Sequence, residues 1–382
     1  MSIPRVIIVR NAYAHDFGGG ERFPVFLAQA LKEQCMEPIV VSAHRKTLAF
    51  ADSSSIRTIH GLWWKRQNWS GRYALLFPAY LLWQLVLTLY YIVLFARLRP
   101  LAVHLQSKDD FVAGTVAGKL LRGRVVWTDH ADLKHIWRNL GVWYKNPVGK
   151  LVYAAACAAD HITLVSEGER REVTALLPKE SSVLRLLTVI HNGCADRYEL
   201  YPQVKHVLFT FVVASRLVAD KGITEAIDAF KSLHTRHPDT ELVIAGDGPG
   251  RGEFEARAHD NAAIHFLGHQ EDPYAAMRQG DVFLQPTYHE GFSVALVEAS
   301  MLGMPIIATD VGGNVEIIHH KTTGLTVPAR DSSALAGAME LLYRDRPYAQ
   351  KLGTAARAQY LDTFIFDQVV KERFMPLYET ID

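Results

Sequence analysis

Cysteine is scarce in this sequence, with only Cys35, Cys157 and Cys194 in 382 residues, far apart and in no Cys-x-x-Cys pair. That argues against a disulfide framework or a zinc site and suits a reducing compartment. The N-terminal MSIPRVIIVRN holds an apolar run of only four or five residues, too short for a secretory signal. No internal repeat and no low-complexity segment is evident. Charged residues make up 21% of the chain and apolar residues 49%, a globular balance rather than a disordered or fibrous one. A chain of 382 residues exceeds what one hydrophobic core usually supports, so two domains are expected.

Net charge is also small, +1, but it hides an asymmetry. The first 200 residues carry 25 basic and 16 acidic side chains, the remainder 16 and 24. All seven tryptophans, Trp63, Trp64, Trp69, Trp83, Trp127, Trp137 and Trp143, lie in the first half. Basic surface interleaved with aromatics suits an anionic membrane or a nucleic acid. The plain alternative is a charge difference between two domains with no partner. Leu75 to Ala96 forms the one long charge-free stretch, LLFPAYLLWQLVLTLYYIVLFA, 22 residues flanked by Arg72, Arg97 and Arg99. Its length would suffice for a membrane span. It sits between strands of one expected sheet, however, and Gln84, Thr88 and three tyrosines dilute it. A buried crossover helix and a helix lying in the membrane interface are the two readings kept open, the second favoured by Trp63-Trp64-Lys65-Arg66 upstream.

Elsewhere strand and helix patterns alternate. VIIV at Val6–Val9 is a β-branched run, Glu21 to Gln34 has helical apolar spacing, and Ile39–Val41 is a second strand. A polar connection near residue 200 is followed by a fresh series. FTFVVA is a strand, Thr224–Leu233 a helix, and ELVIAG, IHFLG, DVFLQP and PIIAT are further strands. This is the pattern of an α/β chain with two successive Rossmann-like domains.

The strongest chemical signal is HEGFSVALVEA, residues 289–299, directly after the strand DVFLQP. The loop from Thr287 to Phe292 should lie at the carboxyl end of a parallel sheet, where open α/β sheets bind ligands. Ser293 to Leu302 reads as a helix whose first amides suit an anion. Glu290 precedes it and Glu298 is about two turns inside it. The bland reading is an N-terminal acid and a solvated helical glutamate. ASRLVADKG places Arg216 and Lys221 after the first strand of the second domain, two cations suited to a diphosphate. AGDGPG at Ala245–Gly250 is a weak signal alone. FGGGER at Phe17–Arg22 follows the first strand of the chain, with Gly18 and Gly19 allowing close backbone approach to a ligand.

In this order the pieces resemble the family 4 glycosyltransferases of the two-domain GT-B fold. The carriers are Gly18-Gly19-x-Glu21, His191-Asn192-Gly193, Arg216 to Gly222, Gly246 to Pro249, Phe266-Leu267-Gly268, the Glu290–Glu298 element, and Gly312-Gly313 before Glu316. The resemblance implies an acceptor-binding domain over residues 1–200, a nucleotide-sugar-binding domain over 201–363, facing each other across a cleft, and a closing helix over 364–382 returning to the first. It implies retaining hexosyl transfer from a UDP- or GDP-sugar to a glycan or polyprenyl-linked acceptor, in cell-surface polysaccharide or glycolipid synthesis. The expected place is cytoplasmic, peripheral on the inner face of the membrane. No cofactor and no metal is expected, and no Asp-x-Asp stands where a metal–diphosphate site would need it. By resemblance Arg216 and Lys221 neutralise the leaving diphosphate and Glu298 holds the ribose. Glu290, with the amides of Gly291, Phe292 and Ser293, engages the donor sugar and phosphates. His130 contacts a sugar, and Gly18 and Gly19 lie against phosphates or acceptor. Nucleic acid is not an expected partner. A nucleotide-sugar epimerase of the same fold and a non-catalytic nucleotide-sugar-binding scaffold are the alternatives. Asp129, His130, Asp132 and His135 are also conceivable as a metal cluster. Ser293, Thr287 and Cys194-Ala195 depart from the residues the family often carries there.

Overall fold

The structure is a computed structural model that describes residues 3–11, 19–64, 77–130, 132–138, 146–203 and 207–379. Gly18, Lys65, Arg66, Trp69 and Trp143, singled out above, lie outside the described residues. The chain divides into two compact units, Met1–His191 with Phe366–Asp382, and Asn192–Ile365.

The first unit is built on β1 (Arg5–Val9), β2 (Glu37–Ser42), β3 (Arg57–His60), β4 (Ala102–Leu105), β5 (Arg124–Asp129), β6 (His161–Leu164) and β7 (Leu187–Val189). They form one parallel sheet in the order β3-β2-β1-β4-β5-β6-β7. Crossover helices α1 (Gly19–Glu33), α2 (Arg45–Ser53), α3 (Phe77–Leu98), α4 (Phe111–Leu120), α5 (Leu133–Ile136), α6 (Pro147–Ala156) and α7 (Glu167–Leu176) cover both faces. Parallel strands covered on both sides need apolar residues at successive positions, and the β-branched runs supply them. Alternation then divides them. Ile7, Val9, Ile39, Val41, Val103 and Leu105 join one core with α3 and α4. Val6, Ile8, Val40, Ala102 and Val126 join the other with α1.

The second unit repeats the plan with β8 (Phe209–Ala214), β9 (Thr240–Ala245), β10 (Ile264–Gly268), β11 (Val282–Gln285), β12 (Ile306–Thr309) and β13 (Leu325–Val327), in the order β10-β9-β8-β11-β12-β13. Its helices are α8 (Ile223–His234), α9 (Arg251–Ala258), α10 (Pro273–Met277), α11 (Val294–Met301), α12 (Asn314–Ile317), α13 (Ser332–Arg344) and α14 (Arg346–Thr363). Helix α8 is seated by its apolar stripe, since Ile223, Ile227, Phe230 and Leu233 all enter the core. In both units the strand order reverses direction beside the first strand, between β1 and β4 and between β8 and β11. Crevices at such reversals are the usual ligand sites of open parallel sheets.

The chain ends with α15 (Phe366–Val369), a π-helical turn at Val370–Phe374 and α16 (Met375–Tyr378). Phe366, Val370, Phe374 and Tyr378 complete the α1-side core of the first unit. Residues 192–200, expected with the first domain, belong instead to the second unit. Cys194 N donates to Phe364 O at 3.2 Å, Tyr360 OH to Cys194 O at 2.8 Å, and Arg357 pairs with Asp196 at 2.7 Å.

The tryptophan-rich surface expected of the first half is only partly there. Trp127 and Trp137 are fully buried, Trp127 stacked on Phe111 at 4.2 Å and donating to Thr115. Trp63 and Trp83 are half-buried and Trp64 is exposed. By length and composition α3 could cross a membrane. Yet it joins β3 to β4, two parallel strands of one sheet, and its inner face lies in the core, so it is a crossover helix.

Candidate active site

In the second unit the loops after β8 and β11 meet. Lys221 Nζ lies 2.6 Å from Glu290 Oε2, both side chains largely shielded from solvent. The contact follows from how the loops are laid together. Thr287 Oγ1 donates to Asp220 O at 3.0 Å and Tyr288 N donates to the same carbonyl at 2.8 Å. Gly222 then turns with φ +68°, and a Cβ there would overlap the Pro286 carbonyl. Only glycine permits both that φ and that approach. Gly312 does the same on the other side. It has φ +49°, a Cβ on it would overlap the Glu290 carbonyl, and Gly313 N donates to that carbonyl at 3.2 Å. The glycine after Lys221 and the glycine pair at 312–313 thus hold Glu290 from two directions.

Gly291 and Phe292 lead from Glu290 into α11. Ser293 caps that helix, its Oγ accepting from Leu296 N at 3.3 Å. The first-turn amides of Val294 and Ala295 have no acceptor one turn back in the helix, as at any helix start. Glu298 occupies a different place from Glu290. It is half-buried and lies beside the Tyr274 phenol, whose ionisation its charge opposes. Burial, with Glu298 beside it, also pushes the Cys194 thiol up. Arg216 emerges two residues beyond β8 and is exposed. The structure therefore joins Lys221 and Glu290 directly, and sets Glu298 against Tyr274 and Cys194.

His130 and Gly19 belong to the first unit. Gly19 opens α1, and Glu21 in its first turn pairs with Arg10 at 3.2 Å. Phe23, one turn on, packs edge-on against the His130 ring at 5.0 Å. His130 Nε2 is buried without a partner among the described residues. Burial first, then Arg10 and His104 nearby, hold its pKa well below the ordinary value, so the ring is neutral. Its loop is fixed by Asp129, which accepts from Asp132 N at 2.9 Å and Leu133 N at 3.0 Å. Burial first, then the charge of Glu169 beside it, raises Asp129 well above the usual carboxylate range. Asp132 pairs with Lys108 at 3.1 Å. Asp129 and Asp132 are thus committed elsewhere, and among the described residues no His, Cys, Asp and Glu group is arranged to hold a metal ion.

Several residues at these edges carried no sequence signal. Tyr288 OH donates to Glu225 at 2.6 Å under Arg330, whose guanidinium stands 4.3 Å from the ring centre. In the first unit Asn11, Tyr91 and Asp110 form a buried network at the reversal beside β1, with Tyr91 OH 2.6 Å from Asp110. Asn11 lies two residues beyond β1, as Arg216 lies beyond β8, and was open to the same reasoning. Tyr91 was not, since it lies mid-helix in an apolar run.

Two family models match the sequence, Glycosyltransferase Family 4 over residues 17–196 and Glycosyl transferases group 1 over residues 204–359. The capsular polysaccharide biosynthesis glycosyltransferase CapM of Staphylococcus aureus is 26% identical over 240 residues, 59% of this chain and 63% of that protein. Glycogen synthase of Mycobacterium tuberculosis is 28% identical over 240 residues, 59% of this chain and 57% of its own length. The chain thus spans about three-fifths of the length of these relatives. Among solved structures, Anabaena HepE in complex with UDP aligns with a TM-score of 0.74 and 16% identity, covering 98% of this chain and 99% of that one. A glycosyltransferase from Rickettsia africae aligns with a TM-score of 0.77 and 18% identity over 99% and 98%. At that identity the likeness speaks for the fold alone.

Proposed function

The chain belongs to family 4 of the glycosyltransferases and has the GT-B fold, and on that premise we propose that it is a retaining hexosyltransferase using a UDP- or GDP-sugar. The observation that carries the reading is the Lys221–Glu290 pair, held at 2.6 Å where the β8–β11 reversal meets the start of α11. Breaking the bond between the anomeric carbon and the phosphate sends both electrons to the diphosphate. Negative charge then grows where Lys221, Arg216 and the first amides of α11 can stabilise it without rearrangement. The acceptor oxygen attacks from the face the leaving group vacates, and its proton passes to the departing phosphate oxygen. Glu290 orients Lys221 and engages the sugar, with the amides of Gly291, Phe292 and Ser293 beside it. Glu298, aimed by Tyr274, takes the ribose hydroxyls. In the first unit the neutral Nε2 of His130 suits a sugar hydroxyl, and Gly19 admits a close approach at the start of α1. No cofactor enters this scheme.

HepE is described with UDP and with UDP-glucose bound, and CapM is named for capsular polysaccharide biosynthesis. The first supports a nucleotide-sugar donor and the second a glycan acceptor; a polyprenyl-linked acceptor on the cytoplasmic face of a membrane belongs to the same proposal. The test is a nucleotide-sugar panel read by thermal shift and nucleotide release, repeated with Glu290→Ala and Arg216→Ala. Donor-dependent release should fall sharply in both, and unchanged release in both would overturn the site. An isomerised donor without acceptor consumption would point to an epimerase, and donor binding without turnover to a scaffold.

A further inference from the structure

We propose that the outward face of α3 docks this chain onto an anionic lipid bilayer. The helix is apolar both inward, where Leu87, Phe95 and Leu98 join the core, and outward. Its inward face carries the hydrogen-bonding groups, with Gln84 Nε2 donating to Asp109 O at 3.2 Å and Tyr91 OH to Asp110 at 2.6 Å. Its outward face is aliphatic. Leu81, Leu82, Leu85, Val86, Leu89 and Val93 are 41–64% exposed, over more than three turns without a polar side chain among them. A crossover helix facing water normally carries charged residues on its outward face. The neighbouring α4 extends the patch with Leu120, 65% exposed, and Leu121. Contiguous exposed apolar surface of this kind marks an interaction site.

Charge identifies the occupant. Residues 53–108 contain no acidic side chain, and of their cations Arg97 and Arg99 stand exposed at the end of α3, whereas Arg57 is paired with Glu37 and Lys108 with Asp132. The next two acids follow under α3, Asp110 accepting from Tyr91 OH and Asp109 accepting from Gln84 Nε2 on its backbone carbonyl. Arg97 and Arg99 end α3 and Arg122 follows α4, Arg99 and Arg122 both in left-handed backbone (φ 48° and 58°). An apolar strip with exposed Arg97, Arg99 and Arg122 at its end complements acyl chains beneath anionic headgroups. A second copy of the chain would bring these arginines toward one another, with no acid on α3 to pair them. A membrane span is incompatible with β3 and β4 lying in one sheet.

Docking draws its purpose from the lipid-linked acceptor proposed for the transferase, but it is measured without donor or acceptor. The full chain is floated with phosphatidylcholine vesicles and with vesicles containing about 30% phosphatidylglycerol. The expected result is at least about tenfold stronger partitioning to the anionic vesicles, weakened by salt. Leu82→Gln with Leu85→Gln and Leu89→Gln should lower that partitioning at least about tenfold while leaving the melting temperature and vesicle-free nucleotide release as in wild type. Arg97→Gln with Arg122→Asn should weaken binding to anionic vesicles only. Unchanged partitioning in the leucine variant overturns the proposal. So does resistance to alkaline extraction, which would mean a span, or a concentration-dependent dimer lost in that variant without vesicle binding. If docking fails while nucleotide release persists, the docking surface falls and the transferase reading stands; the converse result separates them equally well.

Discussion

Lys221 Nζ lies 2.6 Å from Glu290 Oε2 across 69 residues of sequence. Two largely shielded opposite charges at that distance hold each other in place, and removing either leaves the other without its partner. Replacing Lys221 by Ala should therefore lower kcat/KM by about 10²–10³, removing the charge that meets the leaving diphosphate. Glu290→Gln keeps the shape and frees Lys221, and a smaller loss of about tenfold to a hundredfold is expected. Because both act on one group, the double variant should fall well short of the product of the single losses. A double-mutant cycle on donor-dependent nucleotide release measures this, and fully multiplicative losses would mean the pair is not a unit.

Gly312 stands against the Glu290 carbonyl in left-handed backbone. Alanine there adds both backbone strain and overlap, and should cost about 1–3 kcal/mol of stability. Displacement of the Glu290 loop should also weaken donor binding, measured by calorimetry on protein that denaturation curves show to be folded. Gly337→Ala is the control, since a Cβ at Gly337 meets nothing within 4 Å.

The alternating strand and helix patterns were legible because parallel strands buried on both faces must be apolar throughout, as in Val6–Val9. The Glu290 and Lys221 loops were legible because glycines and charges follow strands at short range. What α3 does was not legible. Its composition is apolar on all sides, and only the fold shows that Gln84 and Tyr91 point inward while Leu81, Leu82, Leu85 and Leu89 point out. Tyr274 beside Glu298 and Arg330 over Tyr288 are contacts between distant loops, to which no local spacing points. The tryptophans misled for the same reason, since Trp127 is a strand residue whose face decides that it is core.

His104 is fully buried, with Nδ1 2.6 Å from Tyr378 OH and Nε2 2.6 Å from Thr128 Oγ1. Burial lowers its pKa to about 3. A histidine depressed in the folded state binds fewer protons there than when unfolded, so stability is lost as pH falls below the unfolded value of about 6.5. His104→Asn should remove about 1.4 kcal/mol per pH unit from the acid slope between about pH 6 and pH 4. Urea denaturation of both proteins across that range reads the difference, in which the other titrating groups cancel. Equal slopes would mean that His104 is solvated when folded.

Asp109 runs the other way. Burial first, then the charge of Asp110 beside it, pushes its carboxyl up to about 7, against the lowering pull of Lys108 and Arg10. A carboxyl raised in the folded state favours folding below its unfolded value near 3.8, and that contribution is lost as pH rises through about 7. Asp109→Asn removes the ionisation while keeping the shape. The variant should match wild type near pH 4 and become the more stable protein above pH 7, by about 1–3 kcal/mol, a range discounted because Asp109 is only half-buried. Melting temperatures from pH 4 to pH 9 should cross over in that direction, and a constant offset at every pH would show that Asp109 keeps an ordinary carboxylate pKa in the folded chain.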